Sequence, residues 1–392
     1  MKMNKTVYFV ILLVTAAFLR FGLTPLLHLE NRTIQWMSLT VILLIGVVFL
    51  LRASAKIIEE TTEVLSERTK LAGGLLQSLG TAFPDMILGI LAAIISVNLR
   101  STDMVRAINY AIIAASTTFG SNIYNIAHAT WCIYRQNKAN TKNSSILMFP
   151  GIPSGGMVIP FQKHIVKPRL PEFDSAIQVL VALTILTSSV AVSMVLFGRV
   201  NGAEFNTTED LYQLIQPVGF VVLFLSGLIL YLFRKTQRKE SIVPDIAEAE
   251  QYYRKNSTGI VLFHLLLSGI IILFTAESMV YAIETLSHIA HIPPVIAGVL
   301  AGLIGCLGEI IVIHNYSINP KGRIGDALIG VGMDNIVTTA GAAIVAIMGG
   351  IFLGGSSLII IFVLILGINT LLIAEVSKLK NYFLTKDPQS HT

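Results

Sequence analysis

The sequence is short of charge. Only 13% of its 392 residues are Asp, Glu, Lys or Arg, while 54% are hydrophobic. Soluble domains carry about 25% charged residues, so half the usual charge is missing. Mean hydropathy is +0.72. A soluble fold of this length could not cover so much apolar side chain with so few polar ones. A disordered chain needs the opposite composition. Cysteine is scarce as well. Cys132 and Cys306 are the two present, both lie in apolar runs, and they make no zinc or redox pair motif, which excludes a disulfide-framed secreted domain. The net charge of +5 is too modest for a nucleic-acid binder and speaks to loop orientation instead. What these absences leave is a polytopic membrane protein.

A spanning helix needs roughly 20 mostly apolar residues. Ten stretches qualify, near 6–28, 36–60, 71–97, 104–132, 175–197, 216–233, 258–287, 294–316, 324–349 and 356–377. The predicted fold class is therefore all-α, with about ten transmembrane helices. Arg20 interrupts the first stretch, and Lys2 and Lys5 precede it. That stretch is read either as a retained helix or as a signal segment cleaved near Ala16–Ala17. The 135–172 loop, with Arg135, Lys138 and Lys142 among its six basic residues, and the 234–256 loop, with Arg234, Lys235 and Arg238 among its six, face the cytoplasm by the positive-inside rule. Counting outward from them puts both termini on the same side. The charged 235–257 loop divides the chain into a first half, 35–234, and a second half, 258–380. Residues 1–34 precede the first half as an extra helix or signal segment, and 381–392 form a polar tail.

The halves carry related motifs. Gly80-Thr81-Ala82-Phe83-Pro84-Asp85 is followed by Gly120-Ser121-Asn122-Ile123-Tyr124-Asn125-Ile126. In the second half Gly305-Cys306-Leu307-Gly308-Glu309 is followed by Gly332-Met333-Asp334-Asn335-Ile336-Val337-Thr338. An odd number of spans separates the paired segments, so the copies are inverted in the membrane. Thr81 and Asp85 are four residues apart and share a helix face, as do Ser121 with Asn125, Gly305 with Glu309, and Asp334 with Thr338. Four helices aiming such pairs at one point would build a cage of hard oxygen ligands, suited to Ca²⁺ or Na⁺ and not to a soft transition metal. Pro84 removes one backbone hydrogen bond, and the glycines permit broken or closely packed helices whose carbonyls could join as ligands. Each mid-membrane acidic residue costs roughly 2.5–3.5 kcal/mol. No basic residue evidently pairs with Asp85, Glu309 or Asp334, since Arg20 stands alone on another helix, so a cation from solution is expected to neutralise them.

These segments resemble the sodium/calcium exchangers of the calcium/cation antiporter superfamily. In that family the first repeat reads like Gly-Thr-Ser-x-Pro-Glu followed by Gly-Ser-Asn-Ile-x-Asn, close to residues 80–85 and 120–125 here. The second copy is degraded: Gly305, Cys306 and Gly308 stand where Thr, Ser and Pro are usual, although Glu309 survives. The resemblance implies two inverted repeats and ion ligands at Thr81, Asp85, Ser121, Asn125, Glu309, Asp334 and Thr338. It departs in helix count, because four helices follow the 235–257 loop where the family has five, and one is extra at the start.

The expected function is a secondary antiporter exchanging Ca²⁺ or another divalent cation for Na⁺ by alternating access, with H⁺ as the alternative counter-ion. The transported ions are its partners, with the bilayer, and no cofactor is expected. A short chain with small loops suggests a prokaryotic inner membrane. A passive channel or an ion sensor that has lost exchange competes with this reading. An intramembrane aspartyl protease would need two membrane aspartates, which Asp85, Asp326 and Asp334 could supply. Its tyrosine-aspartate and Gly-x-Gly-Asp motifs are missing, so no enzyme is expected. Glu277 and Glu284 are candidates for an access path. His128, His264 and His314 read as isolated packing residues, and 153–161 as an ordered or re-entrant loop with no assigned chemistry.

Overall fold

The computed structural model describes residues 5–69, 73–161, 170–201, 210–237, 250–319 and 324–386. Apolar runs without interior breakers become long helices. Helix α1 (Lys5–Ala17) continues through a π-helical turn at Phe18–Leu23 and a 3-10 turn at Thr24–His28. The Asn31 side chain accepts from the Thr33 and Ile34 amides and starts α2 (Arg32–Ile45). A second π-helical turn, Gly46–Leu51, joins α2 to α3 (Arg52–Thr69). Next come α4 (Gly73–Leu99) and α5 (Met104–Lys142), then α6 (Leu170–Phe197), α7 (Gln216–Gln237) and the short α8 (Glu250–Lys255). Helices α9 (Thr258–Ile289), α10 (Pro294–Gly305), α11 (Leu307–Ile318), α12 (Ile324–Ile347) and α13 (Gly355–Lys386) complete the bundle.

Eight stretches among the described residues are long and apolar enough to cross a membrane, and the pair α10–α11, bent by 50° at Cys306, adds a ninth. The tenth predicted span is α5, and it fails on polarity. Its middle holds Ser116, Thr117, Thr118, Ser121, Asn122 and Asn125, all buried. Such a helix is tolerated at membrane depth only inside the bundle, and α5 packs against α4, α10, α11, α12 and α13. It is the central post of the structure. At 39 residues it is about 58 Å long, nearly twice the ~30 Å hydrocarbon thickness.

The predicted boundaries move accordingly. The expected loop from 135 is still helix as far as Lys142, where Asn143 ends it in the left-handed conformation (φ 52°). Arg135 is buried in that helix and donates through Nε to the Leu147 carbonyl at 3.1 Å. The 36–60 span extends to Thr69, and the expected polar tail is helical as far as Lys386.

The two ends of the bundle differ. At one, β1 (Ile146–Phe149) and β2 (Ile152–Val158) form an antiparallel hairpin over the end of α5 and α11. At the other, β3 (Arg199–Val200), β4 (Leu211–Gln213) and β5 (Phe352–Gly354) form a small sheet beside the Arg100 contact with the Gly349 carbonyl. Because ten traversals alternate, Lys5, Arg135, Lys138, Arg254 and Lys380 all fall at the hairpin end.

Arg20 is not alone. It makes a two-point ion pair with Glu277 of α9, Nε to Oε2 and Nη2 to Oε1, both at 2.6 Å. This pair locks the first helix onto the second half and places a charge that the apolar setting of 5–28 would otherwise reject. Hydrogen bonds to charged groups contribute about 1.5–3 kcal/mol each, and a half-buried pair loses most when only one partner is removed. Arg20→Leu or Glu277→Leu alone should lower thermal stability in detergent by about 2 kcal/mol. The double replacement should recover most of that loss. Additive losses would mean that the two side chains do not depend on each other.

Candidate functional site

Four helical segments meet halfway along the bundle: the middle of α4, the middle of α5, the α10–α11 break and the middle of α12. The local sequence explains the meeting. A Cβ added to Gly302 would lie 2.5 Å from the Thr117 carbonyl oxygen and 2.6 Å from the Ser121 amide, and one at Gly305 only 1.6 Å from Oδ1 of Asp85. Backbone of α10 therefore lies directly on α5 and against the Asp85 carboxylate, an approach that a side chain at either position would prevent.

Asp85 is fully buried, and neither of its carboxylate oxygens has a hydrogen-bond partner. The Ser121 hydroxyl and the Asp334 carboxylate are its electrostatic neighbours. The Ser121 hydroxyl itself donates to the Thr118 carbonyl at 2.9 Å. Cys306, at the helix break, is an electrostatic neighbour of both Asp85 and Glu309. Glu309 is buried in the first turn of α11, and Asp334 is buried in α12. Three carboxylates thus converge on one interior region. The helices that bring them there, α4, α10–α11 and α12, contain no Lys or Arg at all. The basic residues of α5 nearest to Ser121 are Arg106 and Arg135, about 20 Å away along the helix in either direction. Arg106 is engaged with Glu284 at 3.2 Å and Arg135 with the Leu147 carbonyl.

Amide oxygens add to the carboxylates. Oδ1 of Asn122, Asn125 and Asn335 are each buried without a hydrogen-bond partner. The amide nitrogens of two of them are engaged: Asn122 Nδ2 donates to the Thr339 hydroxyl at 3.5 Å, across α5 and α12, and Asn335 Nδ2 to the Val331 carbonyl at 2.8 Å. These contacts orient the oxygens as acceptors. Buried acceptors left unsatisfied cost about 1–3 kcal/mol apiece, and a divalent cation with six to eight oxygen ligands is the partner that such a set matches.

Of the seven residues expected from the sequence, Asp85, Ser121, Asn125, Glu309, Asp334 and Thr338 are buried in these four segments. Thr81 is in α4, and its side chain lies outside the described residues. The Thr338 hydroxyl donates to the Asp334 carbonyl of its own helix at 2.8 Å, which fixes its direction. Asn122, Asn335 and Thr339 are additions. Asn122 was within the quoted motif, three residues before Asn125, and the same-face spacing rule marks it. Helix breaking, which the glycines of both copies permit, occurs in one: α4 runs unbroken through Pro84, whereas the second copy breaks at Cys306.

Glu284 lines an open cavity of about 440 Å³ at the sheet end, with Asn109, Ser287, His288, His291 and Pro293. Glu277, the other access-path candidate, is held by Arg20 instead.

No protein-family model matches the chain, and no curated protein matches it. Solved structures do. A crystal structure of the H⁺/Ca²⁺ exchanger CAX aligns over 97% of this chain and 95% of its own, with a TM-score of 0.53 at 13% identity. The structure of native YfkE aligns over 96% and 97%, with a TM-score of 0.52 at 13% identity. The sodium-calcium exchanger NCX_Mj aligns over 88% and 97% at 15% identity, with a TM-score of 0.46. CAX and YfkE share the fold of this chain over nearly its whole length, which is the all-α exchanger-like architecture that the motifs led us to expect.

Gly305→Ala should displace the Asp85 carboxylate, costing roughly 1–3 kcal/mol as an overpacked core does. Gly308→Ala, where an added Cβ meets nothing within 4 Å, should be neutral or stabilising by about 0.5–1 kcal/mol. Unfolding midpoints in detergent compare the two, and equal effects would contradict the close approach at Gly305.

Proposed function

We propose that this chain is a secondary-active cation antiporter that carries Ca²⁺, or a divalent cation of like chemistry, against Na⁺ or H⁺. The observation that carries this reading is the convergence of Asp85, Glu309 and Asp334 on four helix segments three of which contain no Lys or Arg, with the Asn122, Asn125 and Asn335 oxygens beside them. The likeness of the fold to that of an H⁺/Ca²⁺ exchanger supports it.

The mechanism follows from charge. Three buried carboxylates repel one another, and on insertion scales each costs roughly 2.5–3.5 kcal/mol at the middle of a helix. A divalent cation, together with the oxygens of Ser121 and the three asparagines, neutralises the cluster and replaces the ion's water. Once it leaves, the carboxylates cannot stay bare. Sodium ions must enter, or protons must bind, with Asp85 and Glu309 the acceptors. Influx of one species is thereby tied to efflux of the other. Access alternates when α2–α3 and α9, which pack together on one flank of the four-segment core, slide past it. The positive-inside rule assigns the hairpin end, with Lys5, Arg135, Lys138, Arg254 and Lys380, to the cytoplasm.

The test is Ca²⁺ uptake into proteoliposomes under an imposed Na⁺ gradient and, separately, a pH gradient. Asp85→Asn and Glu309→Gln should each reduce uptake about tenfold or more, the loss expected when one charged ligand interaction is removed. The gradient that drives uptake identifies the counter-ion. Uptake that runs down its own gradient only, or that survives both substitutions, contradicts coupled exchange at this site.

A further inference from the structure

One cluster lies outside the carboxylate site. His128 and Cys132 are one turn apart on α5, and His314 is on α11. The His128 and His314 rings stack with centroids 5.6 Å apart and planes 21° from parallel. His128 Nε2 is 3.6 Å from the Cys132 sulfur, and one ligand atom from each of the three residues lies within 4.8 Å of the others. The two histidines read in the sequence as isolated packing residues are therefore together, with a thiol beside them.

We propose that His128, Cys132 and His314 bind a borderline-soft divalent cation of the Zn²⁺ class. Zinc–nitrogen and zinc–sulfur bonds of about 2.0–2.1 and 2.3 Å at tetrahedral angles separate the two ligand atoms by about 3.5 Å. The His128–Cys132 distance already has that value. His314 closes the third side by rotation of its half-buried ring. Three protein ligands leave a position for water, as open zinc sites do. Binding requires the thiolate, so the Cys132 proton passes to solvent as the metal enters.

The surroundings suit a bound ion. Cys132 is fully buried in a small apolar cluster with Met148 and Val158 of the hairpin. Phe149 of the same hairpin stacks on His314 at 5.7 Å and on Trp131 at 6.4 Å. The hairpin thus covers the cluster from one side, while both histidines keep partial exposure for entry. His128 follows Ser121 by seven residues and His314 follows Glu309 by five, so the cluster lies roughly 8–10 Å along the helices from the carboxylates, toward the hairpin. The donor sets also differ. Nitrogen and sulfur select zinc-like ions and reject Ca²⁺, whereas the carboxylate and amide oxygens do the reverse. A metal here would tie α11, which carries Glu309, to α5, which carries Ser121 and Asn125.

The experiment is titration of the full-length purified chain in detergent with Co²⁺, followed by Zn²⁺, and it is independent of transport. One Co²⁺ per chain should bind with visible d–d bands and a near-ultraviolet sulfur-to-metal charge-transfer band. Zn²⁺ should displace it, and excess Ca²⁺ should not. Cys132→Ser should abolish the charge-transfer band. His314→Gln should keep the band but weaken affinity by more than about tenfold, since even changes one shell further out cost 10–100-fold. Absence of the band in the unaltered chain overturns the proposal without bearing on antiport. So does a band that survives Cys132→Ser and disappears in Cys306→Ser, or displacement by Ca²⁺, because either places the metal at the carboxylates.

Discussion

Everything in this bundle is arranged around acidic side chains that have been taken out of water. Asp85, Glu309 and Asp334 are each buried at the middle of a helical span, and the helices that hold them carry no Lys or Arg. Apolar burial alone would favour any packing of ten greasy helices. It is the cost of burying the carboxylates that dictates which helices lie inside. α5 is central because its Ser, Thr and Asn side chains are the polar surface the carboxylates need. It is also the predicted span that is too polar to face lipid. The glycines of α10 then follow, since only a bare backbone can come within contact distance of Asp85 and of the Thr117–Ser121 segment.

The same constraint explains where basic residues are allowed. Arg20 and Arg106 occur within or near membrane depth, yet each is matched by a glutamate on α9, Glu277 and Glu284. Arg135 is matched by a backbone carbonyl. Cations that belong to the protein are consumed at the periphery of the bundle. The three interior carboxylates lie away from all of these, on helices without Lys or Arg.

Much of this was legible in the sequence. Most of the spans were visible because apolar runs of that length have few other uses, and Asp85, Ser121, Asn125, Glu309, Asp334 and Thr338 are buried in the four converging segments. Two kinds of fact were not legible. Long-range pairing was one: nothing in residues 6–28 says that Arg20 will meet Glu277, 257 positions later. The grouping of His128 with His314 was another, for the same reason, because sequence spacing reports neighbours on one helix and is silent on neighbours across two. The asymmetry of the copies was hidden differently. Pro84 looked like the helix breaker, yet α4 continues through it, since a lost hydrogen bond can be absorbed where neighbouring helices hold the rod. The break is instead at Cys306, inside the Gly305-Cys306-Leu307-Gly308-Glu309 motif of the second copy.

The first helix belongs to the same arrangement. α1 lies along α9 over most of its length, with the Phe9 ring 4.3 Å from that of His264 near one end, Phe21 5.5 Å from Phe274, and the Arg20–Glu277 pair beyond the middle. Lys5 sits over the rings of Tyr252 and Tyr253, in the short helix leading into α9. α9 also packs on α2 and α3. An element tied to its neighbour at both ends and in the middle cannot slide independently of it. If α9 moves past the core in the exchange proposed above, α1 moves with it, and the mobile unit is the block α1, α2–α3 and α9. The fixed unit is the core around α5, extended by α13, which packs along α5 and α6. On this division α1 belongs to the same unit as α9, and the ion pair between Arg20 and Glu277 lies within that unit.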